Sequence, residues 1–130
     1  MADTVDTRAV KTTGRRRILH LQNRSDGTGE SAVNKLDIST LTTIRGDVCT
    51  YTVVDKIEYN VNGMSVRLDW DHNTDDEIVT LSGEGVIDWA DFGGLIDPKT
   101  AGGTGDILLT TNGAIAGSTY DLTIYYRCKA

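Results

Sequence analysis

The sequence contains no apolar run that approaches the ~20 residues of a membrane-spanning helix, which argues against a membrane protein. The first ten residues, MADTVDTRAV, lack the apolar core of a signal peptide. We therefore expect synthesis in the cytoplasm of the producing cell and no membrane partner.

Cysteine is scarce, with Cys49 and Cys128 as its two occurrences. Two cysteines are too few for a disulfide scaffold, and neither belongs to a Cys-x-x-Cys or Cys/His pattern that would hold zinc. Both lie in the apolar phase of their segments, so they are either core thiols or the two ends of one bridge. Neighbouring strands would permit the bridge, whereas cytoplasmic synthesis keeps thiols reduced until release from the cell.

Positive charge is in deficit, because 13 Lys and Arg residues stand against 19 Asp and Glu residues, giving a net charge of −6. Phosphate binding needs a field of the opposite sign, so a general nucleic-acid-binding role is disfavoured. The local exception is the cluster Arg15, Arg16 and Arg17. We predict that these three side chains bind carboxylates of a protein partner.

Proline occurs once, at Pro98, against 14 glycines, a composition typical of many tight turns and hence of β structure. Residues 1–14 are polar and show no periodicity, which predicts a flexible N-terminal arm. At 130 residues the chain has room for one domain, which we place at residues 15–130.

The strongest local signal lies in residues 49–71, CTYTVVDKIEYNVNGMSVRLDWD, around Asn62-Gly63. These two residue types favour a type I′ hairpin turn because both tolerate positive φ. Folding about that turn puts alternate apolar residues on one face and pairs Glu58 with Arg67 on the other. We therefore predict a hairpin in which Glu58 and Arg67 are direct cross-strand neighbours.

Further short strands are separated by glycine-containing turns. Gly83-Glu84-Gly85 is expected to end one strand, and residues 106–111 and 119–127 are expected to form the closing pair. Turn signals every 8 to 12 residues or so favour a single-domain antiparallel β-sandwich, with a jelly-roll-like arrangement.

Residue chemistry predicts no active site. The acidic segment 69–77 has the alternating oxygens of a calcium loop but lacks its glycine and its terminal glutamate. Neither His20 nor His72 lies in a nucleophile motif, and the stretch Gly27–Ser31 lacks the end of a phosphate loop. We therefore expect a non-enzymatic protein with no catalytic residues, no metal and no cofactor.

Four segments in order, residues 19–40, 54–71, 80–95 and 105–124, resemble the head decoration proteins of tailed bacteriophages. The combination of DGTGES at residues 26–31 with the later WD and FGG strings carries the resemblance. It implies a homotrimeric β-sandwich that binds the exterior of the capsid in the virion and cements neighbouring major capsid proteins. The alternative is a carbohydrate-binding or adhesin-like module on the virion, with Tyr125 and Trp89 as candidate exposed aromatic contacts.

Overall fold

The computed structural model describes residues 4–11, 17–27, 29–36, 38, 46, 47, 49, 51–71, 76–89, 92–96 and 106–129. Within these ranges the chain is all-β, and no α-helix occurs. The strands are β1 Thr4–Lys11, β2 Arg17–Asp26, β3 Val33–Leu36, β4 Tyr51–Trp70, β5 Asp76–Asp88, β6 Leu95–Ile96, β7 Ile107–Asn112 and β8 Ala116–Lys129. The predicted all-β, single-domain fold class is confirmed.

All eight described strands belong to one antiparallel sheet, in which β4 is the longest member and β4 and β5 both extend through two wings. The long wing contains β1, β2, β8 and the first half of β4, with the second half of β5 and the short β6 on the other side of β4. The short wing contains β3, β7, the second half of β4 and the first half of β5. The jelly-roll strand order stays a prediction.

The predicted Asn62-Gly63 hairpin is wrong, because β4 continues through these two residues as one strand of 20 residues. Glu58 is paired with Val86 and Thr123, and Arg67 with Thr80 and Thr110. Four residues of β4, 62–65, lie opposite Ser82 alone in β5, so the segment is a bulge. Gly63 supplies the positive φ of +78° that this bulge needs.

Two further predictions, one of a strand end and one of a strand pairing, concern the same level of the sheet and are also wrong. β5 continues through Gly83-Glu84-Gly85, with Gly83 at a φ of +70°. β7 and β8 do not pair with each other; they follow one another along β4, β7 against residues 65–70 and β8 against residues 51–62. We call this level, residues 62–65, 82–83 and 113–117, the corner, because the two wings meet there.

Both wings contribute side chains to a single core, so the sheet curls around it at the corner. The alternate residues of β2, β8 and β4 that the sequence marked as apolar face inward, and the phase in β4 changes from odd to even numbers across the bulge. The fully buried members are Leu21, Val54, Ile57, Val66, Leu68, Leu81, Ile107, Leu109, Leu122, Ile124, Tyr120 and Tyr126.

The N-terminal segment differs from the expected flexible arm. Thr4–Lys11 form strand β1, which pairs with β2 in antiparallel register from Thr4 opposite Arg24 to Lys11 opposite Ile18. β1 is held by backbone hydrogen bonds to the edge of β2, and these do not require an alternating apolar pattern of side chains. The sequence of β1 therefore gives no signal that it forms a strand.

Candidate partner-binding surface

The arginine cluster is the first place to look for a partner contact. Arg17 lies opposite Tyr126 on the inner face of β2 and is 2% exposed. It shares the odd-numbered phase of Leu19 and Leu21, which explains its burial. The prediction that Arg17 binds a partner at the surface is therefore wrong for this chain, and Arg15 and Arg16 lie outside the described residues.

The outer face of the long wing is covered by polar side chains that bind one another. His20 Nε2 lies 2.6 Å from Asp121 Oδ1, and Gln22 Nε2 donates to Asp121 Oδ2 at 3.2 Å. Nearby, the Tyr125 hydroxyl donates to Glu58 Oε1 at 2.8 Å, and this hydrogen bond is the main cause that raises the pKa of Tyr125. These contacts form a hydrogen-bonded polar surface.

The two aromatic residues of the carbohydrate alternative are both engaged. The ammonium group of Lys56 lies 4.6 Å from the centroid of the Tyr125 ring, so one ring face is covered by a cation. Trp89 is partly buried and packs against the core. Both rings are therefore partly occupied by contacts within the chain.

Two adjoining hollows open on this outer face, with volumes of about 400 and 570 Å³. Asn60 and Asp121 line both of them, and the remaining lining is largely amide, hydroxyl and carboxylate. Such groups bind ligands through hydrogen bonds. Among the described residues no cluster of His, Cys, Asp and Glu is arranged to hold a metal ion.

An exposed aromatic residue stands at the end of the long wing, on a turn that follows β5. Phe92 is 85% exposed and Ile96, four residues later, is 53% exposed. The amides of Phe92 and Gly94 both donate to the Trp89 carbonyl at 2.9 Å, which closes the turn. Exposed large apolar side chains are candidates for protein contacts where they belong to a contiguous patch.

Charged and packed contacts fix this turn to the sheet. Arg127 donates from both Nε and Nη2 to the Asp55 carboxylate, at distances from 2.9 to 3.2 Å, and Nη2 also donates to the Gly93 carbonyl at 3.0 Å. Gly94 has a φ of +87°, and a Cβ there would overlap Cγ1 of Val53. The backbone next to Phe92 is therefore anchored to the sheet, while the Phe92 ring is exposed. We call the Trp89–Ile96 segment, as far as it is described, the Phe92 turn.

A buried polar cluster lies between the wings, and sequence reasoning missed it by treating residues 27–31 as a plain turn. Glu30 Oε1 accepts hydrogen bonds from Asn23 Nδ2 at 2.7 Å and from the Tyr120 hydroxyl at 2.5 Å. Glu30 Oε2 lies 2.6 Å from Lys35 Nζ. The phase of Leu19 and Leu21 indicates that Asn23 faces inward; no comparable signal marks Glu30 or Lys35.

Cys49 and Cys128 form a disulfide, with their Cα atoms 5.7 Å apart. Of the two outcomes left open by the sequence, the structure has the bridge. It joins Cys49, two residues before the start of β4, to the end of β8, where Cys128 lies opposite Thr52.

Comparisons with protein-family models, with curated proteins and with solved structures find no match to this chain. None of the described residues form a helix long and apolar enough to cross a membrane. Any function therefore has to be argued from the motifs of the sequence and from these surfaces.

Proposed function

We propose that this chain is a non-enzymatic virion structural protein that binds the exterior of a tailed-phage capsid and stabilises it. Its partners would be the major capsid protein and further copies of itself in a homotrimer. It would be made in the host cytoplasm and join the virion there. The observation that carries the proposal is the Phe92 turn, because the FGG string of the resemblance presents an 85% exposed ring on a fixed support.

A rigid exposed aromatic residue suits a capsid contact for an energetic reason. Interface energy is concentrated in a few residues, mostly aromatic or arginine, that enter pockets of the partner. A segment whose backbone is already held in place loses less conformational freedom on binding. Phe92 is an exposed aromatic residue, and hydrogen bonds of the Phe92, Gly93 and Gly94 backbone hold the turn that carries it.

The acidic character of the chain supports a position outside the shell. The outer face of the long wing carries Glu58, Glu84, Asp88 and Asp121, and these carboxylates repel nucleic acid. A protein with this charge stays soluble and does not compete for the packaged genome.

Arg15 and Arg16 remain in the proposal as contacts to carboxylates of a neighbouring subunit. They connect β1 to β2 in the sequence, next to the buried Arg17. Contacts of exposed arginines are screened by salt and act first on the association rate.

The test is binding of the purified chain to undecorated shells of the phage that encodes it, measured by cosedimentation. We expect saturable binding, weakened about thirtyfold by Phe92→Ala if the ring contributes about 2 kcal/mol. Ile115→Ser, at another exposed apolar residue, is the matched control and should bind as the parent does. Arg15→Ala with Arg16→Ala should weaken binding at low salt more than at high salt.

Failure of the parent chain to bind such shells would contradict the proposal. Saturable binding to glycans in that case would favour the carbohydrate-binding alternative. Equal loss of binding in Phe92→Ala and Ile115→Ser would show that the Phe92 turn is not the contact.

A further inference from the structure

The buried cluster around Glu30 brings an amine, that of Lys35, and an amide, that of Asn23, into contact with the two oxygens of one carboxyl group. We propose that Lys35 and Asn23 become joined by an amide bond between their side chains, with Glu30 as the catalytic acid and base. This self-modification site does not depend on the proposed capsid function, because all three residues belong to the same chain.

One carboxylate bridges the two reactants. Lys35 Nζ lies 2.6 Å from Glu30 Oε2, and Asn23 Nδ2 lies 2.7 Å from Glu30 Oε1. Asn23 is on β2 of the long wing and Lys35 on β3 of the short wing, while Glu30 is on the loop between them. Because one carboxylate binds both groups, they do not have to meet by diffusion, and the reaction between them becomes effectively unimolecular.

Burial suits the first step, which is a proton transfer. The side chains of Lys35 and Glu30 are 3% and 7% exposed, and Asn23 as a whole is 3% exposed. Water is excluded from such a place, so the Glu30 carboxylate, 2.6 Å away, is the acceptor at hand for a proton on Lys35 Nζ. The proton passes from Nζ to Oε2 along their contact, and Nζ gains a free electron pair.

The bond-forming steps balance within the cluster. The Nζ electron pair attacks Cγ of Asn23, and the carbonyl π pair moves to Oδ1. Glu30 then carries a proton from Nζ to Nδ2, which makes Nδ2 a leaving group. The Oδ1 pair re-forms the carbonyl, the Cγ–Nδ2 bond breaks, and ammonia leaves with the remaining proton as ammonium. No oxidant, metal or other reactant is needed.

Two neighbours hold the catalytic carboxyl in place. The Tyr120 hydroxyl donates to Oε1 at 2.5 Å and is itself 2% exposed. The Glu30 backbone is clamped to Thr111, whose Oγ1 accepts from the Glu30 amide at 2.8 Å and whose amide donates to the Glu30 carbonyl at 2.9 Å. Tyr120 and Thr111 are positioning residues. Exclusion of water by this packing removes the competing hydrolysis of Asn23.

The bond would be a second covalent tie, in addition to the disulfide. It would connect the two wings on the side where no ladder pairs β2 with β3 among the described strands. Unfolding would then leave the two wings joined at this point.

Intact-protein mass spectrometry of the purified, reduced chain tests the proposal. We expect a mass lower than that of the sequence by one ammonia molecule. Trypsin should give a product in which residues 18–24 are joined to residues 25–45, with Lys35 uncleaved. Lys35→Met and Glu30→Gln should keep the full mass, whereas Lys56→Met, on the outer face, should still lose ammonia.

A folded parent chain that keeps its full sequence mass would overturn the proposal, and this measurement decides it even where a variant fails to fold. The same ammonia loss in Lys35→Met would overturn it too, since an internal imide at Asn23 loses ammonia without lysine. An unchanged rate of bond formation in Glu30→Gln would remove Glu30 as the catalyst.

Discussion

The Ser118 hydroxyl donates to the Gly63 carbonyl at 3.1 Å, across the corner where the two wings meet. A Cβ on Gly63 would lie 2.9 Å from the Ser118 Oγ atom, and Gly63 already has a φ of +78°. We therefore expect Gly63→Ala to destabilise the chain by more than the ~1–2 kcal/mol that positive φ alone costs. Urea unfolding followed by circular dichroism measures the difference.

Gly83→Ala is the matched control for this prediction. Gly83 occupies the same corner in β5 with a φ of +70°, but a Cβ there would meet nothing within 4 Å. The decrease in unfolding free energy caused by Gly83→Ala should therefore measure the cost of positive φ alone. If both substitutions lower the unfolding free energy equally, the contact with Ser118 does not stabilise the corner.

The corner also shows why the sequence predicted the faces of β4 correctly but not its path. The apolar phase changes between Val61 and Val66, and either a two-residue turn or an odd insertion in a continuous strand produces that change. Asn62-Gly63 fits both, because both need positive φ. The choice is made by distant strands, since β8 offers a ladder to the first half of β4 and β7 to the second.

The candidate sites were predictable only in part. The phase of Leu19 and Leu21 assigns Arg17 and Asn23 to the inner face, and this signal outweighs the visual impression of a basic cluster. The position of Glu30 depends on a loop whose conformation is fixed by Thr111, which is 81 residues away in the sequence. Exposure of Phe92 likewise follows from the packing of Gly94 on Val53, which no local pattern reveals.

Gly94→Ala should both destabilise the chain and weaken the proposed capsid binding. The added Cβ would overlap Val53 and lie 2.9 Å from Asp55 Oδ1, so the Phe92 turn has to move. The neighbouring Gly93→Ala has a similar φ of +84° and open space, and it should lose stability but keep binding close to the parent. Thermal unfolding and shell cosedimentation of both variants measure the two effects. Full binding by Gly94→Ala would contradict the idea that a fixed Phe92 is needed.

Reduction of the disulfide should lower the unfolding free energy substantially. Cys49 and Cys128 are 79 residues apart in the sequence, and the chain-entropy model gives about 4.5 kcal/mol for a loop of that length. Denaturant unfolding with and without reductant measures the change. The double variant Cys49→Ser with Cys128→Ser should resemble the reduced parent and ignore reductant. An unchanged midpoint on full reduction would show that the bridge adds no stability.

Stability should fall at alkaline pH partly through Tyr126. Burial raises the pKa of Tyr126 above its ordinary value, against the opposing effect of the Arg17 charge. The unfolded chain therefore loses this proton first, so the contribution is complete below about pH 10 and is lost as the pH rises through the folded-state pKa. In the Tyr126→Phe variant, the unfolding free energy measured with denaturant should fall less between about pH 8 and pH 11 than it does in the parent. A loss as steep as that of the parent would contradict this assignment.

The register of the long wing determines how it responds to mechanical load. β1 begins opposite Arg24, while β8 runs in the same direction past Tyr126, opposite Arg17, and ends at Lys129. The start of β1 and the end of β8 therefore lie at opposite ends of the wing, with β2 between the two strands. Tension between those two points slides β1 and β8 along β2 in shear, so many backbone hydrogen bonds carry the force together, and none can be peeled open one at a time.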